Sequence, residues 1–92
     1  MKYQMNIEIS NEKEQKVVKF NLDCYFSRDE NTYGNGWFLK IKGDNFSPMY
    51  FDLRYDTSFK VSHKEKWLQN WAENYWNGCC NYTLTSCKIF EI

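Results

Sequence analysis

Between residues 16 and 26 the chain alternates with a period of two. Val18, Phe20, Leu22, Cys24 and Phe26 fall on one side, and Lys19, Asn21, Asp23 and Tyr25 on the other. Successive side chains of a strand point to opposite faces, so this pattern reads as a β-strand with one buried face. It also holds the register, because a slip by one residue would turn Lys19, Asn21, Asp23 and Tyr25 inward. A half-buried strand is not stable alone, and the rest of the 92 residues must supply its neighbours.

Three further segments carry the same period. In residues 2–10, Tyr3, Met5, Ile7 and Ile9 alternate with Lys2, Gln4, Asn6 and Glu8, and a polar turn, Asn11-Glu12-Lys13-Glu14, follows. In residues 36–43, Trp37, Leu39 and Ile41 alternate with Phe38, Lys40 and Lys42. Gly43-Asp44-Asn45 then supplies turn residues. The fourth strand is expected to start at Pro48, where a missing N–H is tolerated. There Met49, Phe51, Leu53 and Tyr55 alternate with Tyr50, Asp52 and Arg54. Residues 27–36 form a long polar loop between the second and third strands.

The period changes over residues 62–77. At about 100° per residue, Trp67, Leu68, Trp71, Ala72, Tyr75 and Trp76 fill one half of a helix, and the polar residues fill the other. Ser62 and Glu65 have the spacing of a capping box, and Gly78 stands where a left-handed C-terminal residue belongs. A last strand over residues 80–92 is out of phase with itself: Tyr82 and Leu84 share a phase with Phe90 and Ile92, but Cys87 and Ile89 take the other. A bulge, or burial on both faces, would reconcile them. The expected fold is therefore α+β, a ββββαβ chain in one domain over residues 1–92. Its five-stranded antiparallel sheet has the order 5-1-2-3-4, with one amphipathic helix across one face. That helix should cover Tyr3, Met5, Ile7, Val18, Phe20, Leu22, Leu39, Ile41, Phe51 and Leu53.

Composition bounds what such a domain does. Twelve bases balance twelve acids, which argues against a polyanion binder or a nucleic-acid mimic. The aromatic share of 20% argues against disorder. No apolar run is long enough to span a membrane, and the first residues lack the apolar core of an export signal, so a cytoplasmic chain is expected. Cys24, Cys79, Cys80 and Cys87 are then expected to be reduced. Ten Lys to two Arg, and ten Asn to one Ala, reads as AT-rich coding, of the kind found in low-GC bacteria and their phages.

The chain holds little that resembles reaction chemistry. Cys79, Cys80, Cys87 and His63 lack the two-to-four-residue spacing of zinc ligands. The loop from Asp29 begins like a calcium loop, but Tyr33 and Lys40 stand where oxygen ligands are needed. There is no nucleophile elbow, phosphate-binding glycine loop or HExxH. No catalytic residues, metal or cofactor are expected.

The face of the sheet away from the helix is more informative. It should carry Tyr25, Phe38 and Tyr50 beside Lys19, Lys40, Lys42 and Arg54, with Glu8, Asp23 and Asp52 on the same face cancelling much of the charge, and the long loop should present Tyr33. Exposed aromatics among polar neighbours are the composition of protein interfaces. The expected function is a small non-enzymatic protein-binding module, a phage or mobile-element product that docks on a host protein such as a defence nuclease and inhibits it, in the manner of an anti-CRISPR. The alternative is a single-stranded nucleic-acid binder that stacks bases on the open face. The sheet edges also suit pairing with a partner or a homodimer.

Overall fold

From Lys2 to Asn11 residues alternate between half-buried and buried, with every odd-numbered side chain inside. A computed structural model of the chain, which describes residues 1–77 and 81–92, shows how this strand is used. The strands are β1 (Lys2–Asn11), β2 (Lys16–Arg28), β3 (Trp37–Gly43), β4 (Phe46–Asp52) and β5 (Thr83–Glu91). One helix, α1 (Lys64–Asn77), is preceded by a 3-10 turn over Val61–His63. All pairings are antiparallel, in the order β4-β3-β2-β1-β5, which is the expected α+β topology. β1 lies at the centre of the last three strands because α1 carries the chain back across the sheet to its other side.

The hairpins follow from local chemistry. After β1 the Asn11 carboxamide oxygen accepts from the N–H groups of Lys13 (3.0 Å) and Glu14 (3.3 Å), closing the turn. Between β3 and β4 the two-residue turn Asp44-Asn45 places Asn45 at φ 56°, a conformation asparagine tolerates. β4 starts at Phe46, not Pro48, so the proline lies inside the strand. It is accommodated because β4 is an edge strand with a register shift opposite it. The strand ends at Asp52, and Tyr55, expected on its inner face, is 69% exposed.

The core lies between the sheet and α1. Met5, Ile7, Leu22, Cys24, Leu39, Ile41 and Leu53 from the sheet meet Leu68, Ala72 and Trp76 from the helix. Val18, Phe20 and Phe51 pack at its margin, so all ten residues expected beneath the helix side lie in or against the core. Aromatic rings fill the remaining space: Phe20 stacks on Trp76 (5.7 Å), and Phe51 meets the edge of Trp67 (5.4 Å). Phe59, from the segment joining β4 to α1, is also buried and stacks on Phe26.

The helix begins differently from the capping-box expectation. The Ser62 hydroxyl lies 2.8 Å from His63 Nδ1 within the 3-10 turn, one turn before α1 starts at Lys64. Lys64 is 5% exposed; its Nζ donates to Val61 O (2.9 Å) and sits 4.6 Å from the Trp37 ring centroid. Gly78, the expected C-terminal cap, lies outside the described residues. In β5 the register against β1 shifts between Glu8 and Ile9, leaving Thr85 as the extra residue, its hydroxyl bonded to Glu8 O (3.0 Å). Of the two explanations for the mixed phase, the bulge is the one found. It turns Leu84, Cys87 and Ile89 all toward the core side and sends Phe90 to the opposite face. Among the described residues no helix is long and apolar enough to cross a membrane.

Candidate binding face

Antiparallel register sets side chains of neighbouring strands opposite one another on the same face. On the face without the helix, the pairs Lys2↔Tyr25, Tyr25↔Lys40 and Lys40↔Tyr50 form one row across β1, β2, β3 and β4. The rows beside it hold Gln4, Asp23 and Lys42, and Ser27, Phe38 and Asp52. Base and ring thus alternate along the main row, and the period-two patterns of four separate strands produce this.

Each ring of this patch carries a cation over its face. Tyr25 lies between the ammonium groups of Lys2 (5.3 Å) and Lys42 (5.4 Å). Lys40 stands over Tyr50 (5.5 Å), and the Arg54 guanidinium over Phe38 (5.5 Å) and Tyr55 (5.8 Å). Such contacts hold rings and cations in place at modest energy, about 0.5–1 kcal/mol each where exposed. Arg54 is further fixed by a bidentate bond to Asp52, with Nη2 at 2.7 Å and Nε at 3.0 Å. The Arg54 hydrogen bonds hold the Asp52 carboxyl below its ordinary range. A groove of about 420 Å³ runs between Phe38, Lys40, Tyr50 and Asp52.

The face is basic although the chain is neutral. Lys2, Lys19, Lys40, Lys42, Lys88 and Arg54 stand against Glu8, Asp23 and Asp52. The zero formal charge therefore conceals a positive open face and a negative remainder.

Six of the seven expected site residues, Tyr25, Phe38, Lys40, Lys42, Tyr50 and Arg54, come together here. Tyr33 does not join them: it is 84% exposed in the β2–β3 loop, and among the described residues no ring or cation contact links it to the patch. Its loop is nonetheless tied to one end of the patch, since Asn35 N–H donates to Arg54 O (3.0 Å) and its side-chain amide to Leu53 O (2.6 Å). Lys2, Tyr55 and Phe90 belong to the face as well. Lys2 shares the parity of the other polar β1 residues and was legible. Tyr55 and Phe90 were hidden, one by an early strand end and the other by the bulge.

The groups tested for chemistry are placed elsewhere. Cys24 is fully buried, and burial pushes its thiol up to about 12. Cys87 is half-buried and its thiol is also raised, again by burial first. Thiols that stay protonated near neutrality are poor nucleophiles. Cys79 and Cys80 lie outside the described residues. At the loop suggestive of calcium, Asp29 Oδ1 accepts from Asn31 N–H (3.0 Å), while Lys40 is on the open face. Among the described residues no three His, Cys, Asp or Glu side chains converge as a metal site. No family model, curated protein or solved structure matches this chain.

Proposed function

We propose that the protein is a small non-enzymatic binding module whose open sheet face docks on an acidic surface of a partner protein. One observation carries this reading: rings and cations alternate across four strands in a patch that the core does not need. Tyrosine and arginine set among polar groups are the residues that contribute most to protein interfaces. The positive surplus selects an acidic partner and speaks against mimicry of nucleic acid. The AT-rich composition supports a phage or mobile-element source, and with it a host protein, such as a defence nuclease, as the partner that is inhibited. The raised thiols of Cys24 and Cys87 weigh against thiol catalysis by these two residues. A fast-alkylating cysteine in the native protein would contradict that part.

The test is a titration of the purified chain against a candidate host protein, with inhibition read in parallel. A stoichiometric complex that is weakened at least about tenfold by Tyr50→Ala or Lys40→Glu supports the reading. Full-strength binding by both variants would place the contact elsewhere.

Single-stranded nucleic acid is the second reading, favoured by the same cations. The cation–π geometry weighs against it, because a base would have to displace an ammonium group to stack on Tyr25 or Tyr50. Tight, steeply salt-dependent binding of an oligonucleotide, lost in Phe38→Ala and Tyr50→Ala, would favour it over the protein partner.

A further inference from the structure

The two edges of the sheet, β4 and β5, are not equivalent. On β4, Leu53 N–H donates to Trp37 O (3.0 Å), so odd-numbered residues bond to β3 and residues 48, 50 and 52 aim their backbone outward. Pro48 has no N–H to offer. Beyond Asp52 the edge is closed, because Arg54 N–H donates to Asp52 Oδ1 (3.0 Å) and Arg54 O accepts from Asn35. Proline and a covering loop are the usual guards of a strand edge.

β5 has no such guards along its second half. Ile92 N–H donates to Lys2 O (2.9 Å), so the even-numbered residues bond to β1. Cys87, Ile89 and Glu91 then aim their N–H and C=O groups outward. Among the described residues nothing hydrogen-bonds these N–H groups, whereas the Leu84 N–H is taken up by Asn77 Oδ1 (2.9 Å).

We propose that this edge pairs antiparallel with the β5 edge of a second copy, about a two-fold axis at Ile89. Two arguments select the occupant and the register. Setting Ile89 against its copy, and Cys87 against Glu91, satisfies the outward groups of all three residues in both chains. The same register sets Lys88 opposite Phe90, twice, on the open face. Phe90 is 48% exposed, and an ammonium over it repeats the pairing that Lys2, Lys40 and Lys42 make within one chain. A two-fold axis at Lys88 would instead oppose two ammonium groups. One at Phe90 would oppose the two Phe90 rings to each other and leave Lys88 with no ring opposite it. The edge is thus complementary to itself in one register, and the dimer joins two basic faces into one.

Sedimentation equilibrium of the full chain across micromolar to millimolar concentration tests this. A reversible dimer is expected. Phe90→Lys opposes lysine to lysine and should weaken it at least about tenfold, while Phe90→Glu, facing Lys88, should keep it. Glu91→Pro removes an outward N–H that makes no bond within the chain, and should weaken the dimer as well. Circular dichroism establishes that each variant is folded; if Glu91→Pro is not, the Phe90 pair decides. Oxidation of a Lys88→Cys, Phe90→Cys double variant should give a covalent dimer joined between positions 88 and 90 by peptide mapping. A monomer at about 1 mM, a dimer indifferent to Phe90→Lys, or a Lys88→Cys single variant that crosslinks to itself would each overturn the proposal.

Discussion

Gly34 has φ 73°, in the left-handed region, and a Cβ there would meet the Arg54 carbonyl oxygen. Two requirements, conformation and close approach, fall on the residue that seats the β2–β3 loop against Arg54. Gly34→Ala should cost at least about 1 kcal/mol in chemical denaturation. It should also loosen the end of the patch where Arg54 covers Phe38. An unchanged midpoint would mean the loop is not held as described. Asp56 is the other residue whose role is local. Its carboxylate accepts from Ser58 and from Trp67 Nε1 (2.9 Å), and these bonds, Ser58 first, hold it below its ordinary 3.8. A depressed carboxyl adds stability above its unfolded value and loses that stability as pH falls through the folded one. Acid unfolding should therefore steepen below about pH 4 in the wild type. Asp56→Asn should show a flatter acid limb in pH-dependent thermal melts.

At the scale of elements, β1 and β2 needed no tertiary information. Their alternation assigned the inward residues Tyr3 to Ile9 and Val18 to Phe26, because a sheet with one buried face leaves them no other phase, while Asn11, read as part of the turn, ends β1 as a buried residue. The helix face was equally legible, but its start was not. Ser62 has the right spacing for a cap, yet the chain enters through a 3-10 turn and the hydroxyl meets the neighbouring histidine. Ser62→Ala should then change stability by under about 0.5 kcal/mol, below the ordinary cost of losing a cap. Trp76→Ala, at a 6% exposed position between Phe20 and Phe46, should cost about 3–5 kcal/mol. Measured by urea unfolding, the reverse ranking would overturn this account of the helix. Phe59 escaped notice because it lies in neither a strand nor a helix, so no period marks it.

Across the whole molecule, charge segregates without any net charge. The open face is positive because the register assembles lysines from four strands, β1, β2, β3 and β5, not because the sequence contains a basic run. Binding through this face should weaken as salt rises from about 0.05 to 0.5 M, since most of these charges are exposed to solvent. Tyr50→Ala, at a 72% exposed position, should lower partner affinity while leaving stability within about 0.5 kcal/mol of wild type. A thermal melt beside the binding titration separates the two effects. A loss of stability equal to the loss of affinity would return Tyr50 to a structural role.

Periodicity determined the fold class and the buried faces of β1 to β4 and of the helix, because local alternation leaves one phase that buries apolar surface, and the rules of short connections gave the strand order. It also marked Tyr25, Phe38 and Tyr50 as rings the core does not require. Only the tertiary structure decided which cation covers which ring, since that depends on cross-strand partners far apart in sequence. The same holds for Phe90, which the Thr85 bulge moved to the open face, and for Tyr55, which an early strand end released from the core. It holds for the two edges too. Whether a backbone N–H faces a neighbour or solvent is set by hydrogen-bond pairing between strands, and no pattern within a single strand records it.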